Sequence, residues 1–179
     1  DILVDRVENA KESQEDAQEQ FNSALEAFSA AVAFDGGELE DVYNRLNGQY
    51  EDSVAASEEV SSRIDKVESV AEALFDEWSE ELEKYENASL KRDSAAKLRE
   101  TKRRYSSLMT AMRKAESKMP PVLSALQDNV LYLKHNLNAS AIGALQGELS
   151  TIENNVAQLI RQMNSAIAES DAFISSMKN

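Results

Sequence analysis

Apolar and small residues recur at alternating steps of three and four along nearly the whole of this chain, and that periodicity leaves few folds open to it. It is the mark of helices that bury one narrow stripe against one another, as in a coiled coil. The first run is Leu3, Val7, Ala10, Gln14, Ala17, Phe21, Ala24, Phe28 and Ala31, and the second passes from Tyr43 and Leu46 through Ser53, Val60, Ile64 and Ala71 to Trp78 and Tyr85. A third runs from Leu98 through Leu108, Met112, Met119 and Leu126 to Leu137, and a fourth from Ile142 through Ile152, Leu159 and Met163 to Met177. Only 5 Gly and 2 Pro interrupt 179 residues, so a few long elements are favoured over many short ones. The expected fold is all-α, an elongated antiparallel bundle of about four long helices with coiled-coil-like packing, over 1–34, 38–86, 89–136 and 139–177, in one domain. At 1.5 Å per residue these helices would span about 50 to 70 Å.

The breaks have local causes. Asp35-Gly36-Gly37 supplies glycine for the left-handed conformation that closes a helix, and Glu38, Glu40 and Asp41 suit the positive end of the next. Asn87 and Ser89 are both suitable caps for a turn over 86–89. Pro120-Pro121 interrupts the third run without shifting its phase, which predicts a kinked or restarted helix. The small side chains at Gly48, Ser53 and Ser57 predict weaker packing early in the second helix, where an apolar ligand could be carried.

Charge is sorted by position. Residues 1–86 hold 25 acids against 6 bases, residues 87–118 hold 3 against 10, and residues 119–179 hold 5 against 3, giving −19, +7 and −2. The basic stretch Lys91, Arg92, Lys97, Arg99, Lys102, Arg103 and Arg104 could face nucleic acid or anionic lipid. The opposing expectation is a hairpin near Asn87 that lays it beside Glu72, Asp76, Glu77, Glu80, Glu81 and Glu83, so that the two arms neutralise each other. A net charge of −14 also repels phosphate, and no nucleic-acid partner is expected.

No constellation identifies a reaction. Zero Cys excludes disulfides, thiolate metal sites and a cysteine nucleophile. The single His, His135, has no Glu-x-x-His companion and reads as a helix-end cation, so no metal is expected. Glu38, Glu40 and Asp41 lack the spacing of a calcium loop, and Gly36-Gly37 is followed by no Gly-Lys-Ser/Thr. Trp78, between Phe75 and Leu82, reads as core. Asn87-Ala88-Ser89 and Asn138-Ala139-Ser140 match the glycosylation sequon, a short and weak signal. The expectation is a non-enzymatic chain without a cofactor. The apolar runs are too short to span a bilayer, and the start at Asp1 is consistent with an upstream targeting segment that has been removed.

The feature with most functional promise is the outer side of the fourth run. With Ile142 at heptad position a, positions b, c and f hold Ser140, Gly143, Ala144, Gly147, Ser150, Thr151, Asn154, Ala157, Gln158, Arg161, Asn164, Ser165, Ala168, Asp171, Ala172 and Ser175. Only Arg161 and Asp171 are charged, whereas a solvated coiled-coil exterior is rich in Glu and Lys. Two readings stay open: the helix is central in its own bundle, or Ser140, Gly143, Ala144, Gly147, Asn154 and Ala157 dock a protein partner or a second subunit.

Four strings, DILVDRVENA at 1–10, AFDGGELEDVYNRLN at 33–47, VAEALFDEWSEELEKY at 70–85 and LKHNLNASAIGALQGEL at 133–149, resemble a bacterial family catalogued as domain of unknown function 2959. The resemblance covers essentially the whole chain. It implies a small envelope lipoprotein of Gram-negative bacteria, with a signal peptide and a lipidated Cys ahead of this region and no other membrane attachment. The functional expectation is a lipid-anchored periplasmic helical scaffold or adaptor working by helix-on-helix docking. The alternative is a cytoplasmic coiled-coil module associated with DNA maintenance or a larger ATPase.

Overall fold

A computed structural model describes residues 1–34 and 36–178. Every regular element among them is helical: α1 (Ile2–Val32), α2 (Leu39–Leu82), α3 (Ala88–Glu116), α4 (Met119–His135) and α5 (Ala139–Lys178). α3 and α4 continue each other with a 12° bend, so the chain forms a bundle of four long helices. α1 packs on α2 and α5, and α2 packs on α3 and α4, which in turn pack on α5. α1 and α3 do not touch, nor do α2 and α5, so each pair sits on a diagonal.

The seam positions explain the packing. In α1, Leu3, Val7, Ala10, Gln14, Ala17, Phe21, Ala24, Phe28 and Ala31 are all buried. The alanines let α2 and α5 approach closely, and Phe21 and Phe28 fill the space between them, each contributing about 1.5–3 kcal/mol on burial. Ser53 is closed as well as small: its Oγ donates to the Gln49 carbonyl at 2.8 Å and accepts from Gln20 Nε2 of α1 at 3.2 Å. At Ser53 the region expected to pack weakly holds a polar clasp between α1 and α2, while a Cβ at Gly48 would meet nothing within 4 Å.

The helix ends follow elementary capping rules. α1 closes before Gly37, which has φ +104, the left-handed region glycine favours. Asp35, the first residue of that predicted turn, lies outside the described residues. Both sequon strings turn out to be caps: the Asn87 carboxamide accepts from Leu90 N at 3.0 Å, and that of Asn138 from Ala141 N at 3.2 Å, an amide it shares with its own backbone carbonyl at 3.1 Å. The prolines lie in the first turn of α4, where no intrahelical N–H bond is lost, and this is why the predicted kink is only slight.

One seam reading is refined and one is corrected. Phe75 is the last buried residue of α2 and Leu98 the first of α3, so the hairpin over 76–97 is less enclosed than the rest of the bundle. Trp78 therefore packs against the core at its margin, half-buried, and its indole N–H donates to Ser94 Oγ at 2.8 Å. Leu137, given to the third seam, lies beyond the end of α4 and is exposed.

Candidate docking face on the last helix

α5 is anchored along its length. Its buried edge comprises Ala141, Ile142, Leu145, Ile152, Val156, Leu159, Met163, Ala166, Ser170 and Phe173. Polar links to α1 hold its rotation: Gln146 Nε2 donates to the Val32 carbonyl at 2.9 Å, Gln18 Nε2 to Asn164 Oδ1 at 2.7 Å, and Lys11 pairs with Asp171 at 2.6 Å. The hydrogen bond to Asp171 raises the pKa of Lys11, with burial working slightly against it.

With its rotation set this way, α5 turns its b, c and f positions to solvent. Ser140, Gly143, Ala144, Gly147, Asn154 and Ala157 are all exposed, as are Ser150, Thr151, Gln158, Ser165, Ala168 and Ala172. The reading in which this face is internal to its own bundle is overturned, because α5 has neighbours on two sides only, α1 and the α3–α4 rod. The stripe from Ser140 to Ala172 runs about 48 Å. Charge is confined to Arg161, to Asp171, which Lys11 already neutralises, and to the flanking Glu148, Glu153 and Glu169.

Gly143 and Gly147 sharpen the point. A Cβ built at either meets nothing within 4 Å, so no close approach inside the chain requires glycine there. Glycine in a helix interior costs about 1 kcal/mol relative to alanine. Two such residues, one turn apart on an open face, reduce helix stability without improving the packing of this chain.

A groove of about 630 Å³ borders the stripe between α3 and α5, lined by Arg103, Ser106, Ser107, Thr110 and Lys114 on one side and Gln162, Ser165 and Glu169 on the other. Sequence reasoning passed over it, although hydroxyl side chains at 106, 107 and 110 on a helix exterior were a visible signal.

The basic stretch does not behave as expected. Lys91 pairs across the hairpin with Glu83 at 3.9 Å, in the predicted register, and Arg113 reaches Asp65 at 3.0 Å and Glu68 at 3.4 Å. The other ion pairs of α3 are within the helix: Lys97 with Asp93, both Arg103 and Arg104 with Glu100, and Arg113 with Glu116. Partners three or four residues away are already in place when the helix forms, so they compete well with a longer reach between arms. Hydrogen bonding from Arg103, joined by Arg104, holds the Glu100 carboxyl at about 2. Beneath this surface, burial pushes the Tyr105 phenol up to about 12, and its ring meets Phe75 edge-on at 5.4 Å.

Other features are plain. His135 is the exposed last residue of α4, and Glu38, Glu40 and Asp41 are exposed. Among the described residues no three His, Asp or Glu side chains converge as metal ligands, and no helix is long and apolar enough to cross a membrane.

The profile of a family described as "Protein of unknown function (DUF2959)" matches residues 1–177. No curated protein and no solved structure matches the chain.

Proposed function

Because the chain belongs to that family over nearly its whole length, and the family's description assigns no activity, we propose a function from the surface: a non-enzymatic helical scaffold or adaptor that docks a partner helix along the outer face of α5. One observation carries the reading. Ser140, Gly143, Ala144, Gly147, Asn154 and Ala157, all small, uncharged and exposed, line about 26 Å of the outer face of α5, and no contact within the chain requires glycine at 143 or 147. Removing side-chain bulk lets a second helix approach closely, and the absence of charge spares the partner a desolvation cost. In this proposal the protein faces the periplasm and is tethered by an upstream lipid. The resemblance to envelope lipoproteins supports that placement, and none of the described helices is long and apolar enough to cross a membrane.

The experiment is photo-crosslinking in the native host from Gly147 and Asn154, with exposed Ala55 on α2 as control. A discrete adduct is expected at the first two positions and should vanish when Gly147→Glu is placed beside the Asn154 crosslinker. Gly147→Glu itself should leave helicity and melting within about 1 kcal/mol of the parent, since the added side chain points into open space. Adducts no stronger than at Ala55 would sink the docking reading. Mass spectrometry of the mature protein tests the tether: an acylated N-terminal Cys supports it, and a Met directly before Asp1 overturns it.

A further inference from the structure

Two diagonal corners of the bundle carry opposite charge. The outermost stripe of α1 is Glu8, Glu12, Glu15, Glu19, Asn22 and Glu26, all exposed and spaced by alternating fours and threes. The outermost stripe of α3 is Arg92, Arg99, Arg103, Ser106, Thr110 and Lys114, also exposed, with Glu100 and Glu169 as the acids at its edge. The acidic stripe runs about 27 Å and the basic one about 33 Å, so they match in length. Little of this charge is used within the chain. Among the described residues Glu8 pairs with Lys178 at 3.5 Å and Arg103 pairs with Glu100, while Glu12, Glu15, Glu19, Glu26, Arg92, Arg99 and Lys114 form no ion pair. The two helices cannot meet inside one molecule, because they occupy opposite corners.

We propose that the basic α3 stripe is an interaction surface for a second copy of this chain, whose acidic α1 stripe lies along it. Each molecule then presents one donor face and one acceptor face on opposite sides. The contact is heterologous: it does not close on itself as a two-fold dimer does, and it propagates side by side into an open row. Ionic strength sets its range. At about 0.1 M salt the screening length is about 10 Å, which damps repulsion between bodies of net charge −14 while leaving contact pairs intact, and at about 1 M it falls to about 3 Å and the pairs are screened too. The basic stripe adjoins the α5 face at the groove with Ser165 and Glu169, but Gly147 and Asn154, where that docking is tested, do not line the groove, so the two proposals are tested at different residues and fail separately.

The test is sedimentation of the purified chain over a range of concentrations at about 0.1 M and about 1 M salt, with two charge-reversed variants. Variant one carries Arg99→Glu and Arg103→Glu, and variant two Glu15→Lys and Glu19→Lys. All four positions are exposed, and circular dichroism checks that the helices persist. Wild type should associate with a mass that rises with concentration at the lower salt and return to monomer at the higher. Each variant alone should associate about tenfold more weakly or less, and an equimolar mixture of the two should regain association, because each reversed stripe then meets its complement in the other molecule. A wild type that stays monomeric, association indifferent to both reversals, or a mixture no better than its components would overturn the proposal. So would binding of the Arg99/Arg103 stripe to phosphatidylglycerol vesicles without self-association, which would make it a lipid-facing surface.

Discussion

Gln14 offers a direct probe of what the core tolerates. It occupies a seam position in α1, is fully buried, and neither Oε1 nor Nε2 has a hydrogen-bond partner within the chain. The buried hydroxyl next to it in the chain does not help, because Ser13 donates to the Ala10 carbonyl. A buried amide without a partner costs about 1–3 kcal/mol. Gln14→Met keeps the unbranched shape, removes both polar atoms and returns that amount. In a chain of this size each kcal/mol moves the melting point by about 2–4 °C, so a gain of about 2 kcal/mol should raise it by roughly 4–8 °C. Urea unfolding should show a higher midpoint with an unchanged slope, because the surface exposed on unfolding is the same. Gln14→Ala removes the amide but leaves a cavity, and should fall short of Gln14→Met. If Gln14→Met melts at or below the parent while keeping its helicity, the amide is not the burden that its surroundings imply.

Two further predictions follow from the local geometry. The folded-state pKa of Glu100, about 2, lies below the ordinary carboxylate value, so its stabilising pairing is present at neutral pH and is withdrawn as pH falls toward 2. A carbon-detected NMR titration should place its midpoint there, and Arg103→Gln with Arg104→Gln should return it to the ordinary range; an unmoved midpoint would refute the pairing. Replacing both Pro120 and Pro121 by Ala should change stability by less than about 1 kcal/mol, against about 3 kcal/mol for one proline in a helix interior. A gain of several kcal/mol would mean that the prolines strain the α3–α4 joint.

The period of the apolar residues was enough to specify the helices, their inward edges and most of their ends, because each of these is a local property. A residue three or four positions from the last seam residue lies on the same face whatever the helix packs against, and Asn87 and Asn138 cap by bonding amides only three residues ahead. The departures lie where neighbours decide. Trp78 keeps the seam period and packs against the core, but it sits past the last buried residue of α2 near the end of α5, so the same pattern encloses less. Charge sorting pointed to pairing between arms, yet Glu100 takes Arg103 and Arg104 of its own helix, since a partner one turn away is closer than one on another helix. The outer face of α5 is the same case. Its lack of charge was legible from residue types alone, but whether it met water or another helix depended on the order of helices around the bundle. That order places α5 between α1 and the α3–α4 rod and leaves its far side open, and a narrow seam, which sets only the inward direction of a helix, carries no record of it.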